Sequence, residues 1–393
     1  MRNILKLVCA VGLISSSAAA EEIKIGVALG FTGPIESLAP PMAAAAELAM
    51  HEASTSGAFL GGTTIVPVRA DSTCIDAGAA TAAAERLITS DKVKGIMGAA
   101  CSGVTSAVLQ NVAMPNGILM ISPSATSPGL SNIEDNGLFF RTSPSDARQS
   151  QIMADILTER GVTSVAVTFT NNDYGKGLAD SFQSAFEAAG GEITISASHE
   201  DGKSDYSGEV GALASAGGDL LVVAGYVDQG GSAIVQQALD TGAFDRFHFA
   251  DGMVSPTLEE KFGDTIDGST GQTPGTDSPG AAAFAELVDG AFVHNSPFTP
   301  ESYDAAAIMI LAMQAAGSTE AAQYKERMFD VANAPGEQIF PGEIEKAFKI
   351  LAEGGEVDYE GASAVELIGA GESAGNYREI EIKGGKAETV KFH

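Results

Sequence analysis

The chain has no tryptophan, three cysteines and five scattered histidines, His51, His199, His248, His294 and His393. No cysteine or histidine grouping has metal-ligand spacing, so no metal site is expected. Catalytic punctuation is missing as well. No GxxxxGKS or GxxxxGKT phosphate loop and no GxSxG elbow occurs. "HEAST" at His51 lacks a second histidine four residues on, and "GFTGP" lacks the third glycine and the acidic residue of a dinucleotide loop. Ser102 would serve as a nucleophile only with a base beside it, and no histidine or lysine stands near it in sequence. Neither an enzyme nor a cofactor is expected.

Basic residues are scarce. Without Arg2 and Lys6 the 22 lysines and arginines fall to 20 against 51 acidic residues, a net charge of −31. Such a surface repels phosphate backbones and anionic lipid, which excludes nucleic acid as a partner. Long apolar runs are also absent. Leu7–Ile14 is far shorter than the roughly 20 residues that span a bilayer. With Arg2 and Lys6 before it and Ala18-Ala19-Ala20 ahead of Glu21-Glu22, it reads as an export leader cleaved after Ala20. The expected location is the periplasm, and the expected mature protein is soluble. Cys9 sits inside the apolar run, not at a cleavage point, which argues against a lipid anchor. Cys74 and Cys101 remain. An even pair in an exported chain suggests one disulfide around a loop of about 27 residues, the alternative being two separate buried thiols.

What is present alternates. Apolar or β-branched runs at 23–29, 63–68, 93–97 and 118–121 are separated by helical patterns at 41–53, 77–88 and 104–112. "FFRTSP" at Phe139–Pro144 reads as a crossing between lobes. A second alternating unit follows, with strands at 165–169, 193–196, 220–224 and 246–250 and helices between them. Ser255-Pro256 caps another helix. "GSTGQTPGTDSPG", residues 268–280, reads as a second crossing followed by a loop. Helices are expected at 300–317, 320–332 and 343–353, and strands at 365–368 and 377–382. At 393 residues this is an α/β protein of two Rossmann-like lobes with parallel sheets, joined by a hinge that the chain crosses more than once.

Ligands of open parallel sheets sit beyond the carboxyl ends of the strands. In the first lobe those ends are small and hydroxyl-rich: Gly30–Pro34, Asp71–Cys74, Ala99–Gly103 and Ser122–Thr126. Ser102 stands where a helix cap belongs, so its hydroxyl and the following N–H groups suit a carboxylate. In the second lobe Tyr174, Tyr226 and Asp251 each stand just past a strand. Together they describe a zwitterion site, with hydroxyls and N–H groups for the carboxylate, and Thr126 and Asp251 for an ammonium. Ordinary caps, turns and half-buried tyrosines would leave the same pattern.

In order from Ile23 to Asp251, "IKIGVALGFTGPIE", "DSTC", "GAACSG", "GILMISPSATSP", "NNDYGKG", "VAGY" and "FADG" resemble the periplasmic binding proteins of ABC transporters for branched-chain amino acids. The resemblance implies the type I periplasmic binding fold, a small amino acid closed between the lobes, and delivery to a permease and ATPase complex. It maps a disulfide onto Cys74 and Cys101. It puts carboxylate contacts on Ser102 and the Thr126 backbone, and ammonium contacts on the Ser124 carbonyl, the Thr126 hydroxyl and Asp251. Tyr174 and Tyr226 match its aromatic walls. Two departures stand out. The family commonly has an acid one methylene longer at Asp251, and an aromatic near Leu38. Binders of other amides and carboxylic acids belong to the same family, and a ligand-sensing module for a membrane receptor would share these features. The lobes are expected at 21–143 plus 275–365 and at 144–274 plus 366–393.

Overall fold

A computed structural model describes residues 21–393; the expected leader, Cys9 and the cleavage point after Ala20 lie outside the described residues. Short apolar runs become strands. They are β1 (Glu22–Leu29), β2 (Thr64–Asp71), β3 (Ile96–Gly98), β4 (Met120–Ser122) and β5 (Phe139–Pro144), followed by β6 (Ser164–Thr170), β7 (Glu192–His199), β8 (Leu220–Ala224), β9 (Phe247–Phe249) and β10 (Thr270–Pro274). The central strands β3, β4, β8 and β9 have no exposed residue, as expected where helices cover both sides of a parallel sheet, whereas the edge strands β2 and β7 are only partly buried. The tail adds β11 (Glu337–Ile339), β12 (Val357–Tyr359), β13 (Leu367–Ile368), β14 (Glu372–Ser373), β15 (Tyr377–Lys383) and β16 (Lys386–Phe392).

These form two seven-stranded sheets, ordered β13-β14-β5-β4-β3-β1-β2 and β16-β15-β10-β9-β8-β6-β7, and a small pair, β11-β12. The core strands run parallel, with β1 against β2 in register from Glu22–Thr64 to Leu29–Asp71. β15 joins its sheet antiparallel to β10. The protein therefore has two α/β lobes. The chain passes between them after β5, after β10, and between Ser373 and Tyr377. That last switch lies later than the expected boundary after residue 365, because Leu367–Ile368 and Glu372–Ser373 pair within the first sheet.

Three local expectations change. Phe139–Pro144 is itself a strand of the first sheet, and the crossing begins only at Ser145. Residues 268–280 contain buried strand β10 and the start of helix Pro279–Val288, capped by Ser278. Glycine, threonine and proline there resemble a loop in composition, yet Thr270, Gln272 and Thr273 are all buried. The helix expected at 320–332 breaks into short pieces, Ala321–Tyr324 and Met328–Ala332, around a turn at Lys325–Arg327.

Helix Thr299–Ala316 is the axis of the first lobe, buried on every side from Glu301 to Met313. Its one paired carboxylate ties the lobe together. Asp304 accepts from the Tyr359 hydroxyl at 2.8 Å, the Ala362 N–H at 2.7 Å, and the Ser363 N–H and hydroxyl at 2.8 and 2.6 Å. Gly361 makes this approach possible: its φ is +63°, and a Cβ there would lie 2.4 Å from Asp304 Oδ1. Among the described residues no single helix is long and apolar enough to cross a membrane.

Candidate functional site

The strand ends of the two sheets face each other across the cleft. Ser122 ends β4 with its hydroxyl donating to Ala99 O at 2.5 Å and accepting from the Ala125 N–H at 2.9 Å. The Ser124 hydroxyl donates to Ala100 O at 2.9 Å. These bonds fold Ser122–Thr126 into a compact turn whose residues project toward the cleft. Arg141 holds the same turn from behind. Its buried guanidinium donates to Ala125 O and Ser127 O, both at 2.9 Å, to the Ser131 hydroxyl at 2.8 Å, and to Glu372 at 2.5 Å. Sequence reading missed this residue, because "FFRTSP" carries no sign that its arginine points inward.

Ser102 differs from its expected role. It is the first residue of helix Ser102–Val108, the cap position belongs to Cys101, and no side chain caps that helix end. The Ser102 hydroxyl instead accepts from the Ser127 N–H at 3.1 Å, joining the two cleft-facing loops of the first lobe. The expected disulfide is present. Cys74 and Cys101 are bonded, with Cα atoms 5.1 Å apart, which fixes the loop immediately before Ser102.

In the second lobe Asn172 caps helix Asp173–Ala188 by accepting from the Gly175 N–H at 3.0 Å, and this aims Tyr174 into the cleft. Tyr174 and Tyr226 stack, ring centroids 5.2 Å apart and planes 21° apart. The Tyr174 hydroxyl donates to Asp251 Oδ1 at 2.6 Å, and the Gly252 N–H donates to the same oxygen at 2.8 Å. Asp251 Oδ2 is buried with no hydrogen-bond partner. Burial holds the Asp251 carboxyl above the usual carboxylate range, while the Tyr174 hydrogen bond pulls the other way.

The structure brings Leu38, Ser102, Ser124, Thr126, Tyr174, Tyr226 and Asp251 into the wall of one small cavity between the lobes. Sequence reading missed Ile35, Met42, Ala100 and Phe298, which with Cys101 complete the lining. Ile35 and Met42 lie one turn to either side of Leu38, at a spacing that carried a signal. Phe298 comes from just ahead of helix Thr299–Ala316, a segment returned to the first lobe only by the second crossing, after β10. The lining includes no lysine, arginine or histidine. Four aliphatic side chains and three aromatic rings form most of it, with Thr126 and Asp251 as polar points. Thr126 is 1% exposed and Asp251 1%, so the lobes meet over the cavity. Among the described residues no group of histidine, cysteine and acidic side chains could hold a metal ion.

The family model described as "Periplasmic binding protein" matches residues 22–344. The Leu/Ile/Val-binding protein homolog 3 of Brucella melitensis is 29% identical over 317 residues, covering 78% of this chain and 82% of that one. A leucine-binding protein from Thermotoga maritima superposes with a TM-score of 0.79 at 22% identity, covering 94% of this chain and 98% of that chain. A solute-binding protein of an ABC transporter from R. palustris, solved with benzoate, superposes with a TM-score of 0.75 at 20% identity, covering 95% and 96%. All three are binding proteins, not enzymes. The two superpositions speak for the fold.

Proposed function

The chain belongs to the periplasmic binding protein family, and on that premise we propose that it closes on a small α-amino acid, a branched-chain one first, and delivers it to the permease and ATPase of an ABC importer. The observation that carries this reading is Asp251: a buried carboxylate with one free oxygen, in a cavity whose lining supplies no cationic side chain. An isolated buried charge is costly, and a ligand ammonium is the partner that offsets it. The ammonium lies between Asp251 Oδ2, the Thr126 hydroxyl, which also lacks a partner, and the Ser124 carbonyl. The ligand carboxylate faces Ser102 and the backbone of Thr126. Leu38, Ile35, Met42 and Phe298 surround an aliphatic side chain, and the stacked Tyr174 and Tyr226 close its open face.

Benzoate, the ligand of the R. palustris protein, brings no cation to Asp251 and would set two carboxylates in one cavity. Relatives named for leucine, isoleucine and valine support the choice of ligand class. The family supports an exported, periplasmic protein, and we place its mature start after Ala20. A thermal-shift panel of amino acids, amides and benzoates tests the assignment. Leucine, isoleucine and valine are expected to raise the melting temperature most, since a ligand at about a hundredfold excess over its Kd adds about 2.7 kcal/mol. Stabilisation by benzoates and by no amino acid overturns it.

A further inference from the structure

A second carboxylate stands behind the cavity. Asp146 opens helix Asp146–Glu159 at the first crossing, has no exposed surface, and neither of its oxygens has a hydrogen-bond partner. Its backbone N–H donates to Thr126 O at 2.9 Å, which fixes it against the residue that lines the cavity. The Thr126 hydroxyl lies beside its carboxyl group, and the charges it feels are those of Asp251, opposite, and Arg141, on β5. Arg141 is already committed to two carbonyls, Ser131 and Glu372. The other groups facing the two acids are neutral: Gln149 on the same helix, Tyr174 and Tyr226 across the cavity, and Tyr377 on β15. Both Gln149 side-chain atoms and the Tyr377 hydroxyl are buried and unpartnered as well. Gln149, Thr126 and Tyr377 offer only neutral donors, so a cation is the partner that would offset a second negative charge in this cluster.

Burial raises the Asp146 carboxyl well above the usual carboxylate range, and the charge of Asp251 pushes it the same way. Two carboxylates in one dry site do not both ionise unless something positive joins them.

Resting on the reading of the cavity as an amino-acid site, we propose that Asp146 and Asp251 form a two-carboxylate seat for the ligand's ammonium, holding one proton between them when no cation is bound and releasing it when the cation enters. The step balances simply. A carboxyl O–H bond breaks, its electron pair stays on the oxygen, and the proton leaves to solvent. The ammonium keeps its own three protons and donates them to Asp251, the Thr126 hydroxyl and the Ser124 carbonyl, while the Asp146 carboxylate stands behind Thr126 as the second negative charge. Asp146 thereby becomes a residue that selects for a primary ammonium, and uptake is coupled to pH.

The test is calorimetry of L-leucine binding to the mature protein at pH 6, 7 and 8, in buffers of different ionisation enthalpy. The dependence of observed heat on buffer counts protons exchanged. The expected result is release approaching one proton per leucine at the acid end, with Kd falling up to about tenfold per unit rise in pH over that range. Asp146→Asn, nearly isosteric, is expected to bind more weakly and to lose most of the proton release at pH 7. Leucine binding with buffer-independent heat at all three pH values in the unaltered protein overturns the proposal, whether or not the variant folds. Unchanged release in a folded Asp146→Asn variant overturns it too. Absence of binding by every α-amino acid in the thermal-shift panel sinks the amino-acid reading and this proposal together, whereas binding without release sinks only the proposal.

Discussion

The Ser37 N–H, at the cleft edge of the first lobe, donates to Asp228 of the second at 2.8 Å, and the Asp228 N–H returns a bond to Pro34 O at 3.3 Å. This reciprocal pair bridges the lobes outside the ligand cavity, so it exists only while they are closed. Hydrogen bonds to a charged group contribute about 1.5–3 kcal/mol, and half-burial puts this one at the low end. Asp228→Ala is expected to weaken leucine binding by about tenfold, chiefly through faster dissociation. Stopped-flow dissociation rates check it. An unchanged rate means the bond contributes nothing to closure.

A second interlobe contact is steric. A Cβ on Gly177, in the helix carrying Tyr174, would lie 2.9 Å from Pro128 Cδ and 3.1 Å from Ser127 Oγ of the first lobe. The proline ring cannot swing away. Gly177→Leu should therefore wedge the lobes apart while strengthening the helix, where glycine costs about 1 kcal/mol. The two measurements should move in opposite directions. The melting temperature of the free protein holds or rises, and leucine affinity falls at least about tenfold, a loss of about 1.4 kcal/mol. Small-angle scattering with leucine present should retain the extended form. Normal compaction on adding leucine would show that closure does not need this contact.

Within the cavity, Asp251→Ala removes the ammonium's counter-charge, and losing one member of a buried charge pair costs about 3–5 kcal/mol. Leucine binding should weaken more than about a hundredfold. Tyr174→Phe keeps the stack on Tyr226 and deletes the hydroxyl's 2.6 Å bond to Asp251 together with the 3.4 Å bond it accepts from the Gly252 N–H. Its expected cost is about 1–2 kcal/mol. Calorimetry on both variants gives the ordering, and equal losses would mean that Asp251 cannot hold the ammonium without the Tyr174 hydroxyl.

Most of the alternation of strands and helices was legible, because short apolar runs between glycines and hydroxyls have few other solutions. The cleft-facing ends were legible for the same reason. Ser122–Thr126, Tyr174, Tyr226 and Asp251 each follow an apolar strand, and a parallel sheet sends all such ends one way. What stayed hidden were residues whose role depends on where the chain returns. Phe298 and Glu372 reach their places through later crossings. Asp146 and Arg141 sit in a strand-to-helix passage that reads as a mere linker. β10 was hidden for a different reason: Thr270, Gln272 and Thr273 are buried polar residues, which hydrophobic periodicity cannot detect. Ser102 was placed one position off its helix end, as the local pattern allows either Cys101 or Ser102 to be the cap.

The disulfide links stability to the site. It closes a 27-residue separation, worth about 3–4 kcal/mol in the chain-entropy account. Cys101 also lines the cavity and precedes Ser102. The double variant Cys74→Ser, Cys101→Ser should melt several degrees lower and bind leucine less tightly. A melting temperature that does not move would locate the rigidity of this loop elsewhere.

Two histidines of the second sheet set a pH limit on stability. His199 Nδ1 meets the Thr168 hydroxyl and His248 Nδ1 the Thr270 hydroxyl, each at 2.8 Å, while both Nε2 atoms are buried without a partner. Burial lowers His199 to about 4 and His248 to about 3. Unfolded imidazoles titrate at about 6.5. Between that value and the folded one the unfolded chain binds more protons, so the stability contributed is fully present above about pH 6.5 and is lost as pH falls, at about 1.4 kcal/mol per unit for each histidine. Two buried acids oppose this. Burial raises Glu301 to about 8 and Asp304 to about 6, and the penalty of their charge is relieved on acidification. His248→Asn keeps a partner for Thr270 and removes one opposing term. Whatever the substitution costs in packing is independent of pH. Relative to the unaltered protein, the variant should gain about 1.4 kcal/mol for each unit that pH falls below 6.5. Denaturant titrations at pH 7, 6 and 5 measure that difference. A difference constant across the three would show that His248 is not held neutral by burial.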